Sequence, residues 1–133
     1  MRILALTALI WSLATAAAAQ DRDAIEDVIG SQLQAFNDRD IDTAWTFASP
    51  MIQGMFGTPG NFGNMVRNGY PMVWDNSDTR FMELEGGPVQ FMQRVFIRDP
   101  NGDGWLLEYA MIETADGWRI NGVRVLPAPD LAA

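Results

Sequence analysis

The sequence predicts an α+β domain, with N-terminal helices packed on a curved antiparallel sheet of about four strands. Three features carry this expectation. Apolar residues in the first half recur at the three-and-four spacing of a helix face. After Tyr70-Pro71 the pattern changes to strict alternation. Short runs dense in Gly, Pro, Asn and Asp separate the alternating segments.

The chain opens on Met1-Arg2, an apolar stretch from Ile3 to Ala14, and small residues at Ala17 and Ala19 ahead of Gln20. A positive start, a short apolar segment and a small-x-small pattern are what the export machinery reads. The stretch is interrupted by Thr7 and Ser12 and is shorter than the roughly 20 apolar residues of a membrane span. Residues 1–19 are therefore expected to be a cleavable signal peptide and 20–133 a single domain, periplasmic or secreted, with no membrane span after cleavage. A lipid anchor at the cleavage point would need a cysteine, and the chain has none.

From Asp21 to Asp38, Ala24, Ile25, Val28, Ile29, Leu33 and Phe36 form one buried helix face, and acidic residues crowd its start, where they suit the macrodipole. A short helix follows, with Asp42 as its expected cap and Ala44, Trp45, Phe47 and Ala48 as its apolar side. Ser49-Pro50 breaks it. Met51–Phe56 gives another helical turn, stopped at Gly57. Thr58 then caps a helix that has Pro59 at its first position and runs to Asn68-Gly69. Four strands are expected: 80–85, 89–98, 105–114 and 118–126. The turn residues are Gly86-Gly87-Pro88, Asp99–Gly104 and Ala115-Asp116-Gly117. On the second strand Val89, Phe91, Gln93, Val95 and Ile97 share a face.

Composition excludes much chemistry. The chain lacks Cys, His and Lys, so it has no disulfide, no Ser-His-Asp or Cys-His machinery, no common zinc site and no Schiff-base lysine. Its 9 basic residues, all Arg, face 17 acidic ones, a formal net charge of −8. Such a surface repels nucleic acid and anionic membranes. No cofactor is expected.

Several stretches resemble the domain of unknown function 4864 family, small exported bacterial proteins. They are Phe47-Ala48-Ser49-Pro50-Met51-Ile52-Gln53, Phe56-Gly57-Thr58-Pro59, Asn61-Phe62, Met65-Val66-Arg67, Gly69-Tyr70-Pro71 and Trp118-Arg119-Ile120-Asn121-Gly122. The resemblance implies a cone similar to the nuclear transport factor 2-like (SnoaL-like, cystatin-like) superfamily, and no activity.

Four candidate features follow. Trp45, Met51, Phe56, Phe62, Met65, Tyr70, Tyr109, Met111 and Trp118 either line a ligand pocket inside such a cone or simply fill its core. The superfamily's isomerases pair an acid with a tyrosine, which here would draw on Asp42, Glu108 or Glu113 with Tyr70 or Tyr109; adjacent Glu108 and Tyr109 must face opposite ways. Asp99, Asn101 and Asp103 match the first half of a calcium loop, but its twelfth position is Ala110 rather than a bidentate Glu, and the same residues suit an ordinary hairpin. Finally, a mixed strand face carries Arg94, Arg98, Glu108, Arg119 and Arg124 beside Phe96, Leu106, Ile112, Val123 and Val125; an Arg94–Glu108 pair is expected there, and the face suits a homodimer. The leading expectation is a non-enzymatic module that binds a small apolar ligand or a protein partner through the cone. A cofactor-free isomerase or lyase and a structural dimerisation module are the alternatives.

Overall fold

The structure, a computed structural model, describes residues 2–127, with side chains from residue 16 onward. Five helices precede four strands. They are α1 (Arg2–Asn37), α2 (Ile41–Thr46), α3 (Pro50–Phe56), α4 (Pro59–Gly69), α5 (Pro71–Trp74), β1 (Asp78–Glu85), β2 (Phe91–Arg98), β3 (Gly104–Thr114) and β4 (Gly117–Leu126). The strands form one antiparallel meander in the order β1-β2-β3-β4, and the helices cover one face of it.

Helix α1 runs unbroken through the expected cleavage point. Ala16–Gln20 are exposed, and packing begins near Ala24 and Ile25; the side chains of the expected signal segment before Ala16 lie outside the described residues. Beyond that point Ile25, Ile29, Leu33 and Phe36 are buried on the face that the spacing predicts. Among the described residues no helix is long and apolar enough to cross a membrane.

The helix ends in a two-bond cap: Arg39 N–H donates to the Phe36 carbonyl (3.0 Å) and Asp40 N–H to that of Ala35 (2.8 Å). Arg39 holds the left-handed position, φ 57°, usually taken by glycine. Its guanidinium offsets that cost. It donates to the carbonyls of Phe36 (3.0 Å) and Trp74 (2.6 Å), pairs with Asp75 and stacks 4.3 Å from the Trp74 ring centre.

The sequence reading needs three local corrections. Asp40, not Asp42, caps α2: its carboxylate accepts from Thr43 N–H (3.2 Å) and Thr43 Oγ1 (2.7 Å), because the cap of α1 leaves Asp40 in a non-helical conformation directly before the helix start. These bonds hold the Asp40 carboxyl below its ordinary pKa of 3.8. Tyr70-Pro71 opens one more helical turn, α5, before the strands begin. Val89 is exposed in the β1–β2 loop rather than on the inner face.

The parity of the last strand also differs from expectation. Arg119 and Arg124 share the outer face, yet lie an odd number of residues apart. A bulge resolves the conflict: the β3–β4 register shifts between Ala110 and Met111, absorbing one residue near Asn121-Gly122. Val123 and Val125 therefore pair with Tyr109 and Leu107 and lie on the helix side, not among the arginines. A second bulge, between Phe81 and Leu84, bends β1. Buried Gln93 serves it, its Nε2 donating to the carbonyls of Met82 (3.1 Å) and Glu83 (3.3 Å).

Candidate functional site

Between the helices and the inner sheet face lies a cavity of about 230 Å³. Its back wall is Phe36 and Gln32 of α1 together with Tyr109 of β3. Ile120, Gly122 and Val123 of β4 form one side, and Phe62, Met65, Val66, Tyr70 and Val73 another. Ile52, Met55 and Phe56 of α3 close the mouth. Helix α3 has no fully buried residue, and Met55 is 67% exposed, so the mouth is rimmed by flexible apolar side chains.

The local sequence explains how α3 reaches the mouth. Ala48 bridges to Ile120 as a short parallel pair: Ser49 N–H donates to the Ile120 carbonyl, and Ile120 N–H to that of Phe47, both at 2.8 Å. Ser49 is fully buried. Its Oγ accepts from Ile52 N–H (3.2 Å), capping α3, and donates to Asn121 Oδ1 (2.8 Å) at the bulge. Pro50 then starts the helix at a position where no N–H is needed. Two of the stretches that carry the family resemblance, Ser49-Pro50 and Ile120-Asn121-Gly122, thus meet in space and set the cavity's edge.

Among the described residues no charged side chain lines the cavity. Its polar groups are few. Gln32 is buried and anchored by Nε2 to the Ala44 carbonyl (3.1 Å). Tyr70 donates its hydroxyl to the Val123 carbonyl (2.9 Å), tying the end of α4 to β4. The Tyr109 hydroxyl is fully buried and has no hydrogen-bond partner among the described residues. Burial, and then the neighbouring Tyr70, push its pKa well above the ordinary value of 10.0.

Five of the sequence-predicted pocket residues come together here: Phe56, Phe62, Met65, Tyr70 and Tyr109. Four do not. Trp45 packs edge-on against Phe62 at 5.5 Å. Met51 is exposed on the outer side of α3, Met111 is buried core, and Trp118 packs on Phe91 at 5.0 Å. Gln32 was missed, although a polar residue inside the α1 apolar stripe was a visible signal. Gly122 and Val123 reach the cavity through the bulge, and Ala48 through its bridge to Ile120.

The carboxylates considered for acid–base chemistry stand elsewhere. Asp42 and Glu113 are exposed. Glu108 is buried on the opposite sheet face, where Arg124 grips Oε1 (2.7 Å and 2.8 Å) and Arg94 stands 3.6 Å from Oε2. In the Asp99–Asp103 loop, Asp99 Oδ1 accepts from the Asn101 (2.9 Å) and Asp103 (3.0 Å) N–H groups, and Oδ2 from Trp105 Nε1 (3.1 Å). Both oxygens therefore shape the hairpin. No cluster of three or more metal-ligating side chains occurs among the described residues.

Fold and cavity define a small helix-on-sheet domain with an uncharged apolar chamber at its centre. Over residues 18–133 the chain matches the family described as Domain of unknown function (DUF4864), and it belongs to that family. No curated protein and no solved structure matches the chain.

Proposed function

We propose that this is an exported, non-enzymatic binding module that takes a small apolar ligand into the chamber beneath α3. The observation that carries the reading is the chamber itself: apolar walls, no charge among the described residues, flexible Met55 at the mouth and a few fixed polar groups, the usual make-up of a ligand pocket. Acid–base catalysis is less well supported, because no carboxylate stands in the chamber beside either tyrosine. The cone of the nuclear transport factor 2-like superfamily is the fold type that the helix-on-sheet arrangement favours. Export is supported by the Met1–Ala19 pattern, by the exposure of Ala16–Gln20 and by a family match that begins at residue 18.

Native mass spectrometry of protein purified from its own host tests the reading. A co-purifying small mass, lost on denaturation, is the expected result. Protein that is clean of any ligand and that takes up no apolar probe would refute it. In the same spectra the N-terminus should start at Gln20.

The outer sheet face offers a second copy a place to pair. Phe96, Leu106 and Leu126 are only half-buried there, among Arg80, Arg94 and Arg98. The expected mass under native conditions is that of a dimer, and exchanging Phe96 for Asp should yield a monomer that keeps its chamber.

A further inference from the structure

An unsatisfied group in the chamber wall defines the chemistry of what fills it. A buried hydroxyl without a partner loses its hydrogen bonds to water and regains none. Tyr109 is in that position: its hydroxyl has no partner among the described residues, while its ring forms part of the chamber wall. The nearby polar groups are held elsewhere by their donors, the Tyr70 hydroxyl to the Val123 carbonyl and the Gln32 amide to that of Ala44. Burial holds the phenol in its neutral, proton-donating form.

The walls define the rest. With no charged side chain in the lining among the described residues, an ionised ligand would be stripped of water with nothing there to compensate it. Size follows from volume. A 150 Å³ apolar cavity holds benzene, so about 230 Å³ suits about nine non-hydrogen atoms. Tyr109 is fully buried, so a ligand reaches its hydroxyl only when flexible side chains that line the same space, Met55 and Met65, shift to admit it.

Building on the proposed binding role, we infer that the chamber selects a neutral, mostly apolar molecule of about nine heavy atoms that carries a carbonyl-type acceptor, which takes the Tyr109 hydroxyl hydrogen bond. Three probes of nine heavy atoms each separate the elements of this inference: acetophenone (neutral, with an acceptor), cumene (neutral, without one) and benzoate (anionic). Their affinities are measured near pH 7 by NMR titration of the methionine methyl groups and of the Gly122 and Val123 amides, in wild type and in Tyr109→Phe.

Acetophenone is expected to bind wild type, and the substitution to shift the acetophenone-to-cumene preference about tenfold toward cumene. Benzoate is expected to bind at least about tenfold more weakly than acetophenone. In wild type alone, acetophenone but not cumene should move the Tyr109 ring-carbon signal next to the hydroxyl, a readout that does not depend on the variant folding. If both neutral probes bind and neither the preference nor that signal responds, the acceptor inference fails while the binding role stands. Benzoate binding as tightly as acetophenone would overturn the requirement for neutrality. If no probe reaches the chamber, the binding role itself fails.

Discussion

Replacing Tyr109 by Phe should make the unliganded protein more stable, an unusual expectation for a fully buried tyrosine. Most buried tyrosines lose a hydrogen bond when truncated to Phe; this one has none to lose. Removing an unsatisfied buried hydroxyl recovers a desolvation penalty of about 1–3 kcal/mol. Against that stands the space left by one oxygen, on the order of 10 Å³, which at about 24 cal/mol per Å³ costs only about 0.2 kcal/mol. The net gain is about 1 kcal/mol or more, equivalent to about 4 °C in melting temperature for a domain of this size. Urea denaturation at neutral pH measures it, with the midpoint rising and the slope unchanged.

An alkaline series supplies an independent sign. Because Tyr109 has a raised folded-state pKa, the neutral phenol it retains contributes stability that is fully present below the unfolded value of 10.0 and is lost as pH climbs above it. Wild type should therefore lose more stability than the Phe variant above about pH 10. A variant as stable as wild type, or less stable, at neutral pH would refute the reasoning, since it would mean that the hydroxyl is satisfied in the folded protein.

Other consequences are equally direct. Gln93→Met strips the β1 bulge carbonyls of their donor but also removes the buried Gln93 Oε1, which has no partner among the described residues. The two effects oppose, so a net cost of only about 1 kcal/mol is expected in chemical denaturation, with faster amide exchange around Met82 and Glu83. Asp99→Ala removes three acceptor contacts from the β2–β3 hairpin and should cost about 1–2 kcal/mol; with both oxygens engaged in wild type, excess calcium or a chelator should leave the melting temperature unchanged. Gly104→Ala would place a methyl carbon 2.3 Å from the Phe96 ring, which lies directly over that glycine. The ring must swing away, seen as a changed Phe96 ring-proton environment and a loss of about 1–3 kcal/mol.

Fold class was legible because two periodicities divide the chain at Tyr70-Pro71, and because the turn residues between strands leave few alternatives to a meander. Cap chemistry located α3 and α4 through Ser49 and Thr58, whereas α2 was placed under the wrong cap because the left-handed Arg39 gives no sequence signal. Alternation alone could not place Val123 and Val125, since a bulge reverses parity without leaving a residue type that demands it. The tyrosines and methionines of the site were visible as residue types. Which of them face empty space depends on how Ser49 meets Asn121 across 72 positions of chain, a long-range contact that no local pattern encodes. Gln32 and Gln93 were the overlooked clues. Each is a polar residue on an otherwise apolar face, and each donates its amide to backbone carbonyls, Gln32 to Ala44 and Gln93 to the β1 bulge.

Whether the chamber is a binding site or a packing defect can be decided at Ala48. This buried alanine lines the chamber next to the bridge to Ile120, on a segment fixed by two backbone hydrogen bonds, so a larger side chain there must extend into the space rather than move the chain. Ala48→Leu adds three carbons, enough to occupy roughly a third of the volume. In a defect, filling brings new dispersion contacts and raises stability by about 0.5–2 kcal/mol with nothing lost. In a ligand chamber the same filling leaves the fold stable within about 1 kcal/mol but excludes a molecule of about nine atoms, so acetophenone affinity should fall at least about tenfold. Calorimetry and the NMR titration on one variant separate the two cases. A stable Ala48→Leu protein that binds acetophenone as tightly as wild type would mean that the probe is held somewhere other than beneath α3.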